Sequence, residues 1–112
     1  MSVSFGGFNK KTATFKTSSA MQKGTPVKIS ENGTVAAAGI GNPFCGIVDD
    51  YDGQYAAVQL YGAVTTTYVD AAPPLGYTKL IAANVNVKCG EAGREYLVLS
   101  VDEEASTVTF LM

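Results

Sequence analysis

Apolar residues along this chain recur at every second position in short runs, and the runs are punctuated by glycine, proline and asparagine or aspartate. A period of two is the signature of a half-buried β-strand. The clearest case is the stretch from Phe44 to Gly62, where strand formers flank Asp52-Gly53. Asp-Gly accepts the positive φ angles of a tight turn, so the pattern predicts a β-hairpin closed at these two residues. A two-residue loop there pairs Tyr51 with Gln54, Ile47 with Val58 and Cys45 with Leu60, and gathers Cys45, Ile47, Val58 and Leu60 on one buried face. The opposite face carries Phe44, Gly46 and Val48 against Ala57, Gln59 and Tyr61.

The other runs follow in order. Residues 1–9 hold Val3, Phe5 and Phe8 around Gly6-Gly7, an apolar stretch broken by glycine at a terminus. It reads either as a flexible arm that docks onto a partner or as a segment tucked into its own domain. Lys11 to Thr17 alternates as a strand. Thr25 to Ala38 predicts a second hairpin turning at Asn32-Gly33, with Ile29 opposite Ala36 and Val27 opposite Ala38. The small alanines call for something bulky from elsewhere. A glycine-rich loop spans Gly39 to Pro43. Ala63 to Val69 is β-prone, Asp70 to Gly76 is irregular because of Pro73 and Pro74, and Tyr77 to Ala83 is open between a strand and a helical turn. Val85, Val87 and Cys89 alternate with polar residues, Glu95 to Val101 is a strand apolar on both faces, and Thr107 to Met112 alternates to the end. Turns at Glu91 to Arg94 and Asp102 to Ser106 separate these.

Eight to ten short strands and no long helix predict an all-β fold, a small antiparallel barrel or sandwich built from hairpins. The expected organisation is an arm over residues 1–9 and a single β domain over 10–112. No internal repeat is evident. At 112 residues the chain is long enough to build a core without metal or disulfide staples.

Charge and composition narrow the chemistry. A net charge of −2 leaves no basic footprint for nucleic acid or anionic lipid. No basic region precedes an apolar run at the N-terminus and no stretch approaches membrane-spanning length, so the chain is expected to stay outside secretion routes and membranes. Histidine is absent, which removes triad, cysteine–histidine and histidine–metal chemistry. Cys45 and Cys89 read as two buried, reduced thiols, with a disulfide between them as the lesser alternative. Asp49, Asp50 and Asp52 crowd one hairpin tip, but the twelfth position counted from Asp50 is Tyr61, where a calcium loop needs glutamate. They read as a solvated turn, as do Glu103 and Glu104. Gly39, Gly41 and Gly46 lack the lysine, serine and helix of a phosphate cradle. No catalytic, cofactor-binding or metal-ligating residue is therefore expected, and no cofactor. Tyr51, Tyr55 and Tyr61 form the one candidate aromatic surface, balanced against their ordinary use as strand residues.

From Gly24 to Val69 the order of features is Gly-Thr-Pro-Val-Lys-Ile, Asn-Gly-Thr-Val, a glycine loop, Phe-Cys-Gly-Ile-Val, then Ala-Ala-Val-Gln-Leu-Tyr-Gly. This resembles the small head-decoration, or capsid-stabilising, proteins of tailed bacteriophages and prophages. The resemblance implies a β-tulip type of fold, no enzymatic activity and attachment to the outside of a capsid, with the major capsid protein as partner and a homo-oligomer, a trimer foremost, as the assembly state. It implies a place on the virion exterior after assembly in the bacterial cytoplasm. Val3, Phe5 and Phe8, in the arm from Ser2 to Phe8, are then the capsid-binding residues. Tyr77 to Met112 departs from the family pattern, which keeps open a tail or baseplate protein, and a β module binding sugar or peptide through the tyrosines is the reading from another class.

Overall fold

The computed structural model describes residues 11–112, and all of its regular structure there is strand. Ten strands follow in order: β1 (Lys11–Thr17), β2 (Pro26–Glu31), β3 (Thr34–Ala37), β4 (Gly46–Tyr51), β5 (Tyr55–Tyr61), β6 (Ala63–Thr67), β7 (Gly76–Ala83), β8 (Asn86–Cys89), β9 (Arg94–Asp102) and β10 (Thr107–Leu111). The ambiguous segment from Tyr77 is strand, with Leu80 to Ala83 buried in succession. β1 to β5 close a barrel in the order β1-β3-β2-β4-β5, and β6 to β10 form a sheet in the order β6-β10-β9-β7-β8. The all-β expectation holds, with one pair in the barrel, β1 with β3, running parallel.

Both early hairpins form, and both depart from the expected register. In the central one the Asp52 carboxylate accepts hydrogen bonds from the amides of Gln54 (3.0 Å) and Tyr55 (2.8 Å), and the Asp52 amide donates to the Tyr55 carbonyl. The turn therefore centres on Gly53 and Gln54, one position later than expected, because an aspartate side chain bonding forward along its own backbone builds an Asx turn. A bulge at Asp49 then takes back one residue, so Val48 pairs with Val58 and Ile47 with Gln59. A net slip of one residue turns side chains over. Ile47 and Val58 are both buried but on opposite faces, and Leu60 is 37% exposed, so the four-residue face of Cys45, Ile47, Val58 and Leu60 does not exist. In the second hairpin the Asn32-Gly33 turn is where it was expected, between Glu31 and Thr34. A bulge at Ser30 moves Ile29 opposite Val35 and Val27 opposite Ala37. Such bulges add the local twist that closing so small a barrel requires.

The second sheet repeats the first barrel. Its edge strands meet through a parallel bridge of Tyr68 with Val87, with the Val69 amide donating to the Val87 carbonyl (3.0 Å) and the Thr67 hydroxyl to the Asn86 side-chain oxygen. Read as a ring from β6, the order becomes β6-β8-β7-β9-β10, which is β1-β3-β2-β4-β5 with every strand advanced by five. Each pair keeps its direction, the parallel closure included.

The correspondence extends to single residues. The hydrogen bonds Thr17 N to Gln54 O and Ser18 N to Val35 O match Tyr68 N to Ser106 O and Val69 N to Val87 O. The bulge at Asp49 matches one at Leu99, and the Asp102 carboxylate accepts from the amides of Glu104 and Ala105 as Asp52 does from Gln54 and Tyr55. Gly24 and Gly76 enter β2 and β7 with φ near +93° and +92°. The core residues Val35, Val48, Ala56 and Val58 of the first barrel line up with Val87, Val98, Val108 and Phe110, all buried. The expectation of no internal repeat is thus corrected. Few identities survive, Asn32/Asn84 and Val35/Val87 among them, since a core position needs apolar volume and not a particular side chain.

The first unit also contributes to the core of the second. Ala38, Phe44 and Ile47 join the buried cluster of β7 to β10. Phe44 stacks on Tyr96 (centroids 5.1 Å, planes 10° apart) and lies edge-on to Phe110, while the Tyr96 hydroxyl donates to the Phe44 carbonyl at 2.8 Å. Phe44 is thereby the largest of several links between the two units, which also include the backbone hydrogen bonds from Gly41 N to Ala82 O and from Ala82 N to Asn42 O, each 2.9 Å.

Candidate functional site

Val3, Phe5 and Phe8 lie outside the described residues. The three tyrosines expected as an aromatic surface are not brought together. Tyr55 and Tyr61 sit at opposite ends of β5, six residues and so about 20 Å apart along the strand. Tyr51 is half-buried against the first core, and its hydroxyl donates to the Gly53 carbonyl (3.1 Å), so it braces the turn. Only Tyr51 and Tyr55 share a recess, a shallow one of 160 Å³ with Thr14 and the acidic tip.

The acidic tip is architecture. The amides of Gln54 and then Tyr55 hold the Asp52 carboxyl below the usual carboxylate range. Asp50 accepts from the Tyr51 amide. The two cysteines are free thiols: Cys45 is partly buried, whereas Cys89, at the end of β8, is exposed, contrary to its reading as a buried thiol. Burial pushes both thiols up, which keeps them protonated and weakly nucleophilic at neutral pH. Gly46 begins β4 inside the barrel wall, where an added Cβ would meet the Val58 side chain and lie 2.8 Å from the Gln59 carbonyl, so its glycine serves packing.

Of the alanines of the second hairpin, Ala38 is covered, buried in the cluster that holds Phe44, Tyr96 and Phe110, and Ala36 is partly buried. Ala37 is exposed, and with Ala38, Ala20, Met21 and Val85 it lines a 580 Å³ groove at the seam of the two units.

A surface that sequence reasoning missed lies on the outer face of the second sheet. Leu111 of β10 pairs with Leu97 of β9, and Leu97 pairs with Tyr77 of β7, so three large apolar side chains stand in one row across three strands. Leu97 and Leu111 are half-buried, and Tyr77 is 74% exposed. The strand from Glu95, apolar on both faces, was the signal: a strand with two apolar faces has to cover the second one. The corresponding row in the first unit is Gln59, Ile47 and Pro26, joined by the same pairings. All three are buried, Ile47 within the cluster it shares with Tyr96 and Phe110, and the Gln59 amide donates to the carbonyls of Tyr61 and Ala63.

Comparisons of the chain with protein-family models, with curated proteins and with solved structures give no match.

Proposed function

We propose that this protein is a non-enzymatic structural component of a tailed-phage virion, which binds the outside of the capsid and stabilises it by bridging subunits. The observation that carries the reading is the ordered run from Gly24 to Val69, which resembles head-decoration proteins and occupies β2 to β6 of an all-β fold. The scattering of Tyr51, Tyr55 and Tyr61 removes the shared aromatic site on which a sugar- or peptide-binding module would rest. In this proposal Val3, Phe5 and Phe8 are the attachment residues: alternate side chains of an added strand enter pockets of the shell while the backbone pairs with a sheet edge. The major capsid protein is the partner, and the assembled protein is a homo-oligomer, with a trimer as the first candidate.

Co-sedimentation with shells of the major capsid protein encoded in the same genome tests this. The full chain is expected to pellet with the shells and to raise their melting temperature. Deletion of Ser2 to Phe8 is expected to abolish pelleting while leaving the melting temperature of the free protein nearly unchanged. A truncated chain that still decorates shells sinks the role of the arm, and a full chain that never pellets sinks the function.

A further inference from the structure

We propose that the outer edge of β1, at Thr12 and Thr14, accepts an extended segment of the shell protein as an added strand. The inference rests on the virion reading for its partner and on the backbone for its place. On one side β1 pairs with β5 from Lys11 to Lys16, and on the other it meets β3 only at Lys16 and Thr17. The Thr17 amide donates to the Gln54 carbonyl, at the entry to β5, whereas the Lys16 amide donates the other way, to the Gly33 carbonyl. Successive residues of an antiparallel strand turn their backbone groups to opposite neighbours, so Phe15 and Ala13 bond toward β5 while Thr14 and Thr12 turn N–H and C=O outward on the side of Lys16. No described residue pairs with those outward groups, and both threonines are exposed.

The repeat sharpens the point. On the counterpart strand β6 the Gln59 amide donates to the Ala63 carbonyl, and Thr67 is tied to Asn86 of β8 through its hydroxyl, which leaves Thr65 alone between them. β1 is longer, has no such cover, contains no proline and is bulged only at its first residue. An edge left in this state is a template for another strand, whose backbone bonds supply affinity and whose alternate side chains supply specificity. It also follows the arm from Ser2 to Phe8 closely in the chain, so a shell segment lying on β1 continues the same attachment. Charge sets the character of that segment. Residues 1–30 hold five lysines and no acid. Lys11 and Lys16 bracket the open stretch, exposed and in no ion pair among the described residues. The segment that fits is extended and carries carboxylates.

Amide hydrogen exchange and shell co-sedimentation of the full chain test this. In the free protein the Thr12 and Thr14 amides are expected to exchange fast and those of Ala13 and Phe15 slowly, and shell binding is expected to protect the two threonines. Thr14→Pro removes an outward donor at an edge position, where proline is tolerated. With its arm intact it is expected to stay folded and to bind shells at least about tenfold more weakly. The double variant Lys11→Glu/Lys16→Glu keeps every backbone group and is expected to weaken binding likewise, while Lys79→Glu, on the second unit, binds as wild type. Thermal melting reports whether each variant is folded, and the lysine variant decides if Thr14→Pro is not. Threonine amides already protected in the free chain, a folded Thr14→Pro that binds like wild type, or a lysine double variant that does so, each overturn the proposal and leave the virion reading standing. A full chain that never pellets overturns both.

Discussion

Tyr96 shows how a single position can distinguish two otherwise equivalent units. Its counterpart in the first barrel is Gly46, where there is no room even for a Cβ, whereas in the second unit the space holds a phenol that stacks on Phe44 and donates to its carbonyl. Burial pushes the Tyr96 phenol up to about 12, partly opposed by the nearby Arg94 guanidinium. The ordinary tyrosine value, about 10, applies to the unfolded chain. The folded value is the higher of the two, so the contribution is fully present below pH 10 and is lost as pH rises from about 10 through about 12. Wild-type unfolding free energy is expected to fall across that window by about 1 to 3 kcal/mol more than that of Tyr96→Phe, which has no proton to lose there. Urea denaturation at stepped pH values is the measurement, and parallel curves would remove the buried phenol from the account.

At the scale of elements, the strands were legible and their registers were not. Period-two alternation located β1 at its observed bounds, and Asn32-Gly33 located the second turn, because both signals are local. The bulges at Asp49, Ser30 and Leu99 have no such signal. They arise from closing a narrow ring, a demand of the whole barrel, and each one turns over the faces that alternation assigns. The Asx turn at Asp52 was local but ambiguous, since Asp-Gly can sit at the centre of a turn or at its start. The paired carboxylates make a prediction here. Asp52→Ala is expected to lower the melting temperature of the hairpin's host barrel, and Asp52→Asn, which keeps a side-chain acceptor, to lower it less. Because the Asp52 carboxyl is held below its ordinary value, the difference between wild type and Asp52→Ala should shrink as pH falls through the folded-state value, below about 3.8. Equal melting temperatures for all three proteins at neutral pH would show the turn indifferent to its acid.

The whole molecule is two five-stranded units that share one aromatic tie. The repeat was hidden from the sequence because equivalent core positions exchange Ala for Val at Ala56/Val108 and Val for Phe at Val58/Phe110, while the spacing drifts between 50 and 52 residues. The candidate sites fared unevenly for physical reasons. Successive tyrosines four and six residues apart on a curved hairpin diverge, whereas Tyr77, Leu97 and Leu111 are far apart in the chain and become neighbours only through pairing. Phe44→Ala removes a buried ring between the units, which by the usual large-to-small cost is about 3 to 5 kcal/mol, and because Ala38 and Ile47 still join the second unit's core the protein is expected to melt in a single transition at lower temperature. Two separate transitions would mean that this ring alone couples the units.

The central claim, attachment to the outside of a phage head, is tested most directly by electron cryo-microscopy of virions from the phage or prophage whose genome encodes this chain. The account predicts density matching the paired five-stranded units at regularly repeated positions on the outer surface of the capsid, with an extended segment from the N-terminal end of β1 reaching into the shell. Density confined to the tail or baseplate, or virions that lack the protein altogether, would contradict it.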